Sequence, residues 1–183
     1  MDLTQVTYRI ANKKDIPAIA GLHSLSWKLN YRGSFSDHYL DHEVDHDRLA
    51  IWSQRFKDPN PKQGVILAEA QSKLLGFVCT FLDYHKTWGA YLDNLHVQPE
   101  LYGQGLGKIL MAKSAEWVLQ ERPESPLYLW VLEKNVKGIR FYLRIGGVNQ
   151  GLKVFDNPGG GQSQAYRIEW KDPSVLLELR IRM

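Results

Sequence analysis

The sequence predicts an α/β protein in which helices pack on one mixed sheet. Strand-like and helix-like patterns follow one another in the order βααβββαβαββ. The helix-like stretch between the strands at 90–97 and 126–132 is long enough for a right-handed crossover, which makes those strands parallel. A chain of 183 residues suits one buried core, so we expect a single domain, 1–183, with its core at about 5–171 and a C-terminal tail at 172–183.

The first half of the chain alternates between extended and helical patterns. "QVTYRI" at 5–10 reads as a strand because polar and apolar residues alternate. A helix is expected over 12–32, and a second helix from about 37 to 57. After the turn-rich "KDPNPKQG", the runs "VILAEA" and "LLGFVCTFLDYH" form a hairpin-like pair of strands.

The second half carries the clearest helical periodicity. Leu106, Ile109, Leu110, Trp117 and Val118 mark one apolar face of a helix that follows the strand "AYLDNLHV". Next come the strand "PLYLWVL", a short helix in "NVKGIRFYLRIGG" that ends at its glycines, and two closing strands, "VNQGLKVF" and "QAYRIEW".

Composition excludes several classes of function. The net charge of +3 is small and the basic residues are scattered, so we expect no nucleic-acid partner. The apolar run at 74–82 is about half of the roughly 18–20 residues that a membrane span needs, so no membrane association is expected. Without a secretory signal pattern, and with Cys79 as its one cysteine, the chain is predicted to be cytoplasmic. Cys79 lies in an apolar strand and is expected to be a buried small hydrophobe.

The stretch "DNLHVQPELYGQGLGKIL" at 93–110 predicts an anion-binding loop. Gly103, Gly105 and Gly107 alternate just before a helix, where free amides and the helix dipole favour negative charge. A P-loop would need Gly at 102 and Ser or Thr at 109, but the chain has Tyr102 and Ile109. The glycine pattern of dinucleotide-binding proteins is not matched either, whether it starts at Gly103 or at Gly105.

Two segments together resemble the GNAT superfamily of N-acetyltransferases. "LDNLHVQPELYGQGLGKIL" is similar to its acetyl-coenzyme A signature, with Tyr102 where the family usually has Gln or Arg. "LWVLEKNVKGIRFYLRIGGV" is similar to its second segment: Asn135 and Tyr142 match, whereas Gly147 stands where an aromatic residue is usual. The resemblance covers most of the chain, because the order of elements also agrees.

The resemblance implies a fold and a coenzyme site. The fold is a mostly antiparallel sheet in which the central parallel strands splay apart at a bulge, and the pantetheine arm of acetyl-CoA enters the gap. The backbones of Leu95 and Val97 would face the arm, and the Leu95 N–H would polarise the thioester carbonyl. Main-chain N–H groups of Gln104, Gly105, Gly107 and Lys108 would surround the pyrophosphate. The complete expected coenzyme set is Leu95, His96, Val97, Tyr102, Gly103, Gln104, Gly105, Leu106, Gly107, Lys108, Asn135 and Tyr142.

The implied reaction needs a proton donor for the departing thiolate and a neutral amine. By resemblance, Tyr142 lies near the sulfur. Full proton transfer from a phenol of pKa about 10 to a thiolate of about 8.5 would be uphill by about 2 kcal/mol, so we expect a hydrogen bond that strengthens as charge develops. Asp93, His96 and Glu133 are alternative bases; strand alternation turns His96 away from the face of Asp93 unless the bulge re-aims it.

The sequence does not identify the amine that accepts the acetyl group. Expected acceptor-binding residues are Trp27, Tyr31, Asp93 and Trp130. Tyr39, Trp52 and the acidic residues of "SDHYLDHEVDHD" would also suit a cationic amine, although a solvated acidic helix face explains that stretch equally simply. His38, His42 and His46 have metal-compatible spacing, but the chemistry needs no metal and none is predicted.

The sequence thus predicts an N-acetyltransferase that moves acetyl from acetyl-CoA to a small-molecule, peptide or protein amine by direct attack. A non-catalytic acyl-CoA sensor is the alternative, and a nucleotide-binding regulatory domain is disfavoured by the failed loop patterns. The closing strands after 147 could pair between subunits, as in some relatives, to give a homodimer.

Overall fold

The computed structural model describes residues 5–180 as a seven-stranded sheet flanked by helices. The strands are β1 (Thr7–Ile10), β2 (Gln63–Ala70), β3 (Lys73–His85), β4 (Gly89–Val97), β5 (Leu127–Leu132), β6 (Val148–Asp156) and β7 (Gln162–Trp170). The helices are α1 (Ile16–Asn30), α2 (Asp37–His42), α3 (Val44–Lys57), α4 (Leu106–Glu121) and α5 (Val136–Arg144), with 3₁₀ turns at Lys13–Asp15, Pro99–Leu101 and Pro173–Arg180.

The sheet has the order β1-β2-β3-β4-β5-β7-β6, and this confirms the predicted fold class. All neighbouring strands run antiparallel except β4 and β5. The parallel pair follows from the crossover through α4, which returns the chain to the same end of the sheet. β6 lies at the edge of the sheet, where a strand of a second subunit could pair with it. Such pairing stays a prediction.

Apolar clusters on the two faces of the sheet hold the helices. On one face Ile19 of α1 and Trp52 of α3 pack against Phe77 of β3, and all three are fully buried. On the other face α4 packs through the predicted stripe, of which Leu106, Leu110, Ile109 and Val118 are buried. Among the helices between residues 5 and 180, none combines the length and apolar character needed to cross a membrane.

Two boundaries differ from those expected. The helix predicted over 37–57 is two helices, because the chain turns at Glu43 between α2 and α3. No Gly or Pro marks the break. The expected C-terminal tail is instead a 3₁₀ helix, Pro173–Arg180, whose Leu176 is fully buried in the main core. The packed structure therefore extends beyond residue 171.

Truncating Leu176 should destabilise the fold. We expect Leu176→Ala to lower the free energy of unfolding by about 2–5 kcal/mol, because the change removes buried methyl groups and leaves a cavity. Val175→Ala is the matched control, since Val175 is 46% exposed. Urea unfolding of both variants checks the prediction, and equal stability of the two would contradict the packing of this segment.

Candidate functional site

A bulge in β4 opens the centre of the sheet. Leu92 pairs with Thr80 and Asn94 pairs with Cys79, so Asp93 is an extra residue without a partner on β3. The parallel ladder between β4 and β5 is limited to Ala90 with Leu127 and Tyr91 with Tyr128. Beyond these pairs the two strands separate, and backbone groups of β4 that point toward β5 have no ladder partner.

A cavity of about 1110 Å³ occupies this gap and extends to both faces of the opened strand pair. One end lies at the glycine loop before α4, and the other lies among α1, α3 and the β6–β7 turn. Of the predicted site residues, those that line it are Trp27, Tyr31, Asp93, Leu95, His96, Val97, Tyr102, Gly103, Gly105, Gly107, Lys108, Trp130, Asn135 and Tyr142.

Gln104 and Leu106 are not among the lining residues. The Leu106 side chain is fully buried in the core below α4, and the Gln104 side chain donates a hydrogen bond to the Glu100 carbonyl at 2.8 Å. Any contact between Leu106 and a ligand is therefore limited to its backbone.

The glycine loop presents free amides at the start of α4. Gly103 and Gly105 have φ values of +77° and +94°, which L side chains rarely adopt, so glycine is required at both positions. The amides of Gln104 and Lys108 already donate to the carbonyls of Leu101 and Gly105, at 3.2 and 2.9 Å. This contradicts the expectation that all four loop amides are available, and it leaves those of Gly105 and Gly107 at a helix start that favours anions.

Basic side chains surround the same end of the cavity. Lys137, Arg140 and Arg144 of α5 line it together with Lys108, and none of the four forms an ion pair with a residue described between 5 and 180. Sequence reasoning missed the three on α5, although the intervals of three and four residues between them place them along one helix face. These cations and the loop amides suit a ligand with several phosphates.

The start of α5 is organised by Asn135. Its Oδ1 accepts a hydrogen bond from the Gly138 N–H at 3.0 Å, which caps the helix. A side chain at Gly138 would collide with Asn135, because an added Cβ would lie 2.7 Å from Nδ2. The side-chain oxygen Oδ1 of Asn135 is used for capping, so a ligand contact would use the side-chain nitrogen Nδ2.

Tyr142 lies on α5 and lines the cavity with a free hydroxyl. The hydroxyl forms no hydrogen bond with the residues that the structure describes. Burial, and secondly the neighbouring Tyr31, raises the pKa of Tyr142 above its usual value of 10.0. The phenol therefore keeps its proton at neutral pH and can donate a hydrogen bond to an anion that develops in the cavity.

The bulge places Asp93 and His96 on the same face of the sheet. Asp93 forms an ion pair of 2.7 Å with Arg55 of α3, and the His96 ring lies against Phe77 on that face. The sequence analysis expected His96 to share the face of Asp93 only if the bulge turned it. The bulge does turn it, because the extra residue reverses the alternation of side chains along β4. Burial, and secondly Arg48, lowers the pKa of His96 to about 3, so the imidazole is too weakly basic to deprotonate an amine at neutral pH.

The other base candidates are also constrained. Glu133 is absent from the cavity lining, and its Oε1 accepts a hydrogen bond from Tyr166 at 3.4 Å. The carboxylate of Asp93 accepts a hydrogen bond of 2.7 Å from Arg55, so one of its oxygens is already engaged. Cys79 is buried, which confirms its prediction as a small hydrophobe, and burial raises the pKa of its thiol well above 9.0.

Within residues 5–180, only some of the side chains that the sequence assigned to acceptor binding line the cavity. Trp27, Tyr31 and Trp130 line it, whereas Tyr39 and Trp52 are buried elsewhere and do not. The acidic residues of α2 and α3 pair with neighbouring groups: Asp37 and Asp41 with Arg32, Asp45 with Lys28, and Asp47 with Arg48 and Tyr39.

This pairing leaves little free negative charge to attract a cation. The turn at Glu43 also separates His42 from His46. Within the described residues, no group of three His, Cys, Asp or Glu side chains could hold a metal.

Comparison with known proteins was made by sequence and by structure. A family model described as the Acetyltransferase (GNAT) family matches residues 22–147. An uncharacterized N-acetyltransferase of Archaeoglobus fulgidus is 33% identical over 104 residues, which cover 55% of this chain and 67% of that protein. The uncharacterized N-acetyltransferase YuaI of Bacillus subtilis is 29% identical over 140 residues, covering 75% of this chain and 77% of that protein.

A similar solved structure is the PaiA N-acetyltransferase from Thermoplasma acidophilum in complex with coenzyme A. It aligns with a TM-score of 0.66 and 22% sequence identity, over 90% of this chain and 99% of that chain. At this identity the likeness concerns the fold.

Proposed function

Since the chain belongs to the acetyltransferase (GNAT) family and is therefore an acyltransferase with acetyl-CoA as donor, we propose that it acetylates a primary amine by direct attack in a ternary complex. The observation that carries this proposal is the cavity, which joins an anion-binding end to a separate end lined by aromatic and charged side chains. The acceptor class at this level is a small-molecule, peptide or protein amine.

Coenzyme binding uses the basic end of the cavity. The pyrophosphate lies at the amides of Gly105 and Gly107, with the Lys108 side chain and the α5 cations around the phosphates. The arm then enters the gap between β4 and β5, where backbone groups of Leu95 and Val97 face it. In this arrangement the Leu95 N–H is the donor that stabilises negative charge on the thioester oxygen.

Solvent takes up the protons that the amine releases, and Tyr142 gives a hydrogen bond to the departing sulfur. The amine loses its proton to water before attack, since His96 is too weak a base and Asp93 is held by Arg55. The nitrogen attacks the thioester carbon, a tetrahedral intermediate forms, and the carbon–sulfur bond breaks as the amide forms. Tyr142 donates a hydrogen bond to the departing sulfur and so stabilises the thiolate. One of the two protons on the attacking nitrogen leaves to water, and the other stays on the nitrogen of the amide.

The proposal is tested by measuring free coenzyme A released from acetyl-CoA over a panel of primary amines. Release that depends on an amine, together with mass-spectrometric detection of its N-acetyl product, supports the proposal. Calorimetric binding of acetyl-CoA without turnover of any amine would contradict catalysis and favour a sensor. Absence of acetyl-CoA binding would contradict the coenzyme site itself.

The pH profile should reflect the acceptor rather than an enzyme base. We expect kcat/KM for the acceptor to rise by about tenfold per pH unit from about pH 6 toward the pKa of the amine, because only the neutral amine attacks. Histidine should add no step near pH 6.5, since the pKa of His96 is lowered to about 3.

The raised pKa of Tyr142 also places the loss of its proton above pH 10. Steady-state rates at saturating acetyl-CoA between about pH 5.5 and about 9.5 check this profile. A falling limb below pH 9 would contradict the assigned state of Tyr142.

A further inference from the structure

A buried arginine lies at the acceptor end of the cavity. Arg48 of α3 is 6% exposed, lines the cavity, and has its guanidinium 4.1 Å from the centre of the Trp27 ring. Its Nη2 pairs with Asp47 at 2.8 Å, the guanidinium also donates a hydrogen bond to the Tyr39 hydroxyl oxygen, and Nε is buried without a partner among the described residues. Donors of a buried guanidinium are costly to leave unsatisfied, so the site is suited to a ligand that accepts hydrogen bonds.

Two neutral histidines form the wall beside Arg48. His23 Nδ1 accepts a hydrogen bond from the Trp52 indole N–H at 3.0 Å, and burial, with His96 and Arg48 as lesser causes, lowers its pKa well below 6.5. Neutral His23 therefore carries its hydrogen on Nε2, a further buried donor without a partner in the described chain. The rings of His23 and His96 lie 4.6 Å apart, and because burial lowers the pKa of both imidazoles, this wall contributes no positive charge of its own at neutral pH.

Charges of opposite sign flank Tyr31 at this end. The hydroxyl of Tyr31 interacts electrostatically with both Asp93 and Arg48, and these side chains come from different elements, β4 and α3. Asp93 immediately precedes the part of β4 that contains Leu95. Ring contacts connect Arg48 to β4: the Trp27 ring beside the guanidinium lies 4.9 Å from the His23 ring, which lies 4.6 Å from the ring of His96, the residue after Leu95. An acceptor amine near Leu95 would therefore lie at the same end of the cavity as Arg48.

We propose that the acceptor carries a carboxylate close to its amine and that Arg48 binds this carboxylate. Arg48 lines the cavity, and a carboxylate is the oxygen group that matches its guanidinium in charge and in shape. The substrate class is then a free amino acid or a similar zwitterion rather than a polyamine. This inference rests on the proposed acetyl transfer and specifies its acceptor.

The test compares amines that differ only by the carboxylate. The pairs are glycine and methylamine, L-phenylalanine and 2-phenylethylamine, and L-lysine and cadaverine. For each pair kcat/KM is measured at saturating acetyl-CoA, and binding is measured by calorimetry on protein saturated with coenzyme A. In at least one pair we expect the amino acid to be favoured by about 10-fold to 100-fold, the range of one charge-assisted hydrogen-bonded pair.

Variants assign the preference to Arg48. Arg48→Met keeps an apolar stem over Trp27 and should lose the preference for the amino acid, measured as the ratio of kcat/KM between the two members of each pair. Arg48→Lys keeps the charge and should retain part of the preference. Arg32→Met is the control, because Arg32 is absent from the cavity lining and pairs with Asp37 and Asp41. Melting temperature and acetyl-CoA affinity verify that each variant folds.

The outcomes separate this inference from the proposed function. If each simple amine is used and bound as well as its amino acid, the carboxylate site is refuted while acetyl transfer stands. An equal loss for both members of a pair in Arg48→Met also refutes it. If no compound is acetylated, the proposed function fails, and binding to the coenzyme-loaded protein still decides whether Arg48 holds a carboxylate.

Discussion

Gly105→Glu should abolish binding of acetyl-CoA. The variant places a side chain at a φ of +94° and a carboxylate where the proposed pyrophosphate lies. Backbone strain and repulsion between like charges act in the same direction, so we expect affinity to fall by about 100-fold or more. Calorimetric titration of acetyl-CoA into both proteins measures the change.

A second glycine supplies the control for strain and charge. Gly160 has a φ of +89°, lies in the exposed β6–β7 turn, and has no atom within 4 Å of an added Cβ. Gly160→Glu introduces the same charge at a similar backbone conformation outside the cavity lining. It should bind acetyl-CoA as the unmodified protein does. Full binding by Gly105→Glu would refute the assignment of the loop to the coenzyme phosphates.

Tyr142→Phe should remove most of the turnover and little of the binding. The substitution deletes a hydroxyl that has no protein partner among the described residues, so packing should change little. Loss of a positioned hydrogen-bond donor to developing charge commonly lowers kcat by about 100-fold to 1,000-fold. We expect that loss at an acetyl-CoA dissociation constant within about threefold of the original, measured by stopped-flow or steady-state coenzyme release and by calorimetry.

Tyr84→Phe is the matched control for this variant. Tyr84 is 59% exposed and lies outside the cavity lining, so its hydroxyl should have no effect on kcat. Normal kcat in Tyr142→Phe would exclude Tyr142 as the donor to sulfur. A lowered kcat accompanied by equally weakened acetyl-CoA binding would assign Tyr142 to coenzyme binding instead.

The departure from the family pattern at Gly147 has a packing explanation. An added Cβ there would lie 2.4 Å from Ile168 and 2.7 Å from the Trp170 ring. Trp170 is buried and donates its indole N–H to the Ile145 carbonyl at 3.0 Å. The space beside Gly147 is thus filled by an aromatic ring that comes from β7, which no local pattern around residue 147 could reveal.

Local signals in the sequence determined the order of the strands and helices and the position of the glycine loop. The apolar face of α4 could be predicted from the sequence, because helical periodicity places residues three and four apart on one face. The sequence predicted that glycines at 103, 105 and 107 allow a phosphate to approach the backbone, and the positive φ values of Gly103 and Gly105 are a second reason for glycine that the structure adds. Resemblance then supplied the splayed strands, and the structure confirms that β4 and β5 separate after Tyr91.

Tertiary structure alone decided which charges are free at the acceptor end. Arg55 pairs with Asp93 across 38 positions of sequence, and Arg48 reaches the cavity because α3 packs against α1, where the guanidinium lies over Trp27. The turn at Glu43 and the burial of Leu176 likewise lack a local signal. The physical reason is that ion pairing and burial depend on which distant segments meet, whereas periodicity and turn chemistry depend only on neighbours in the chain.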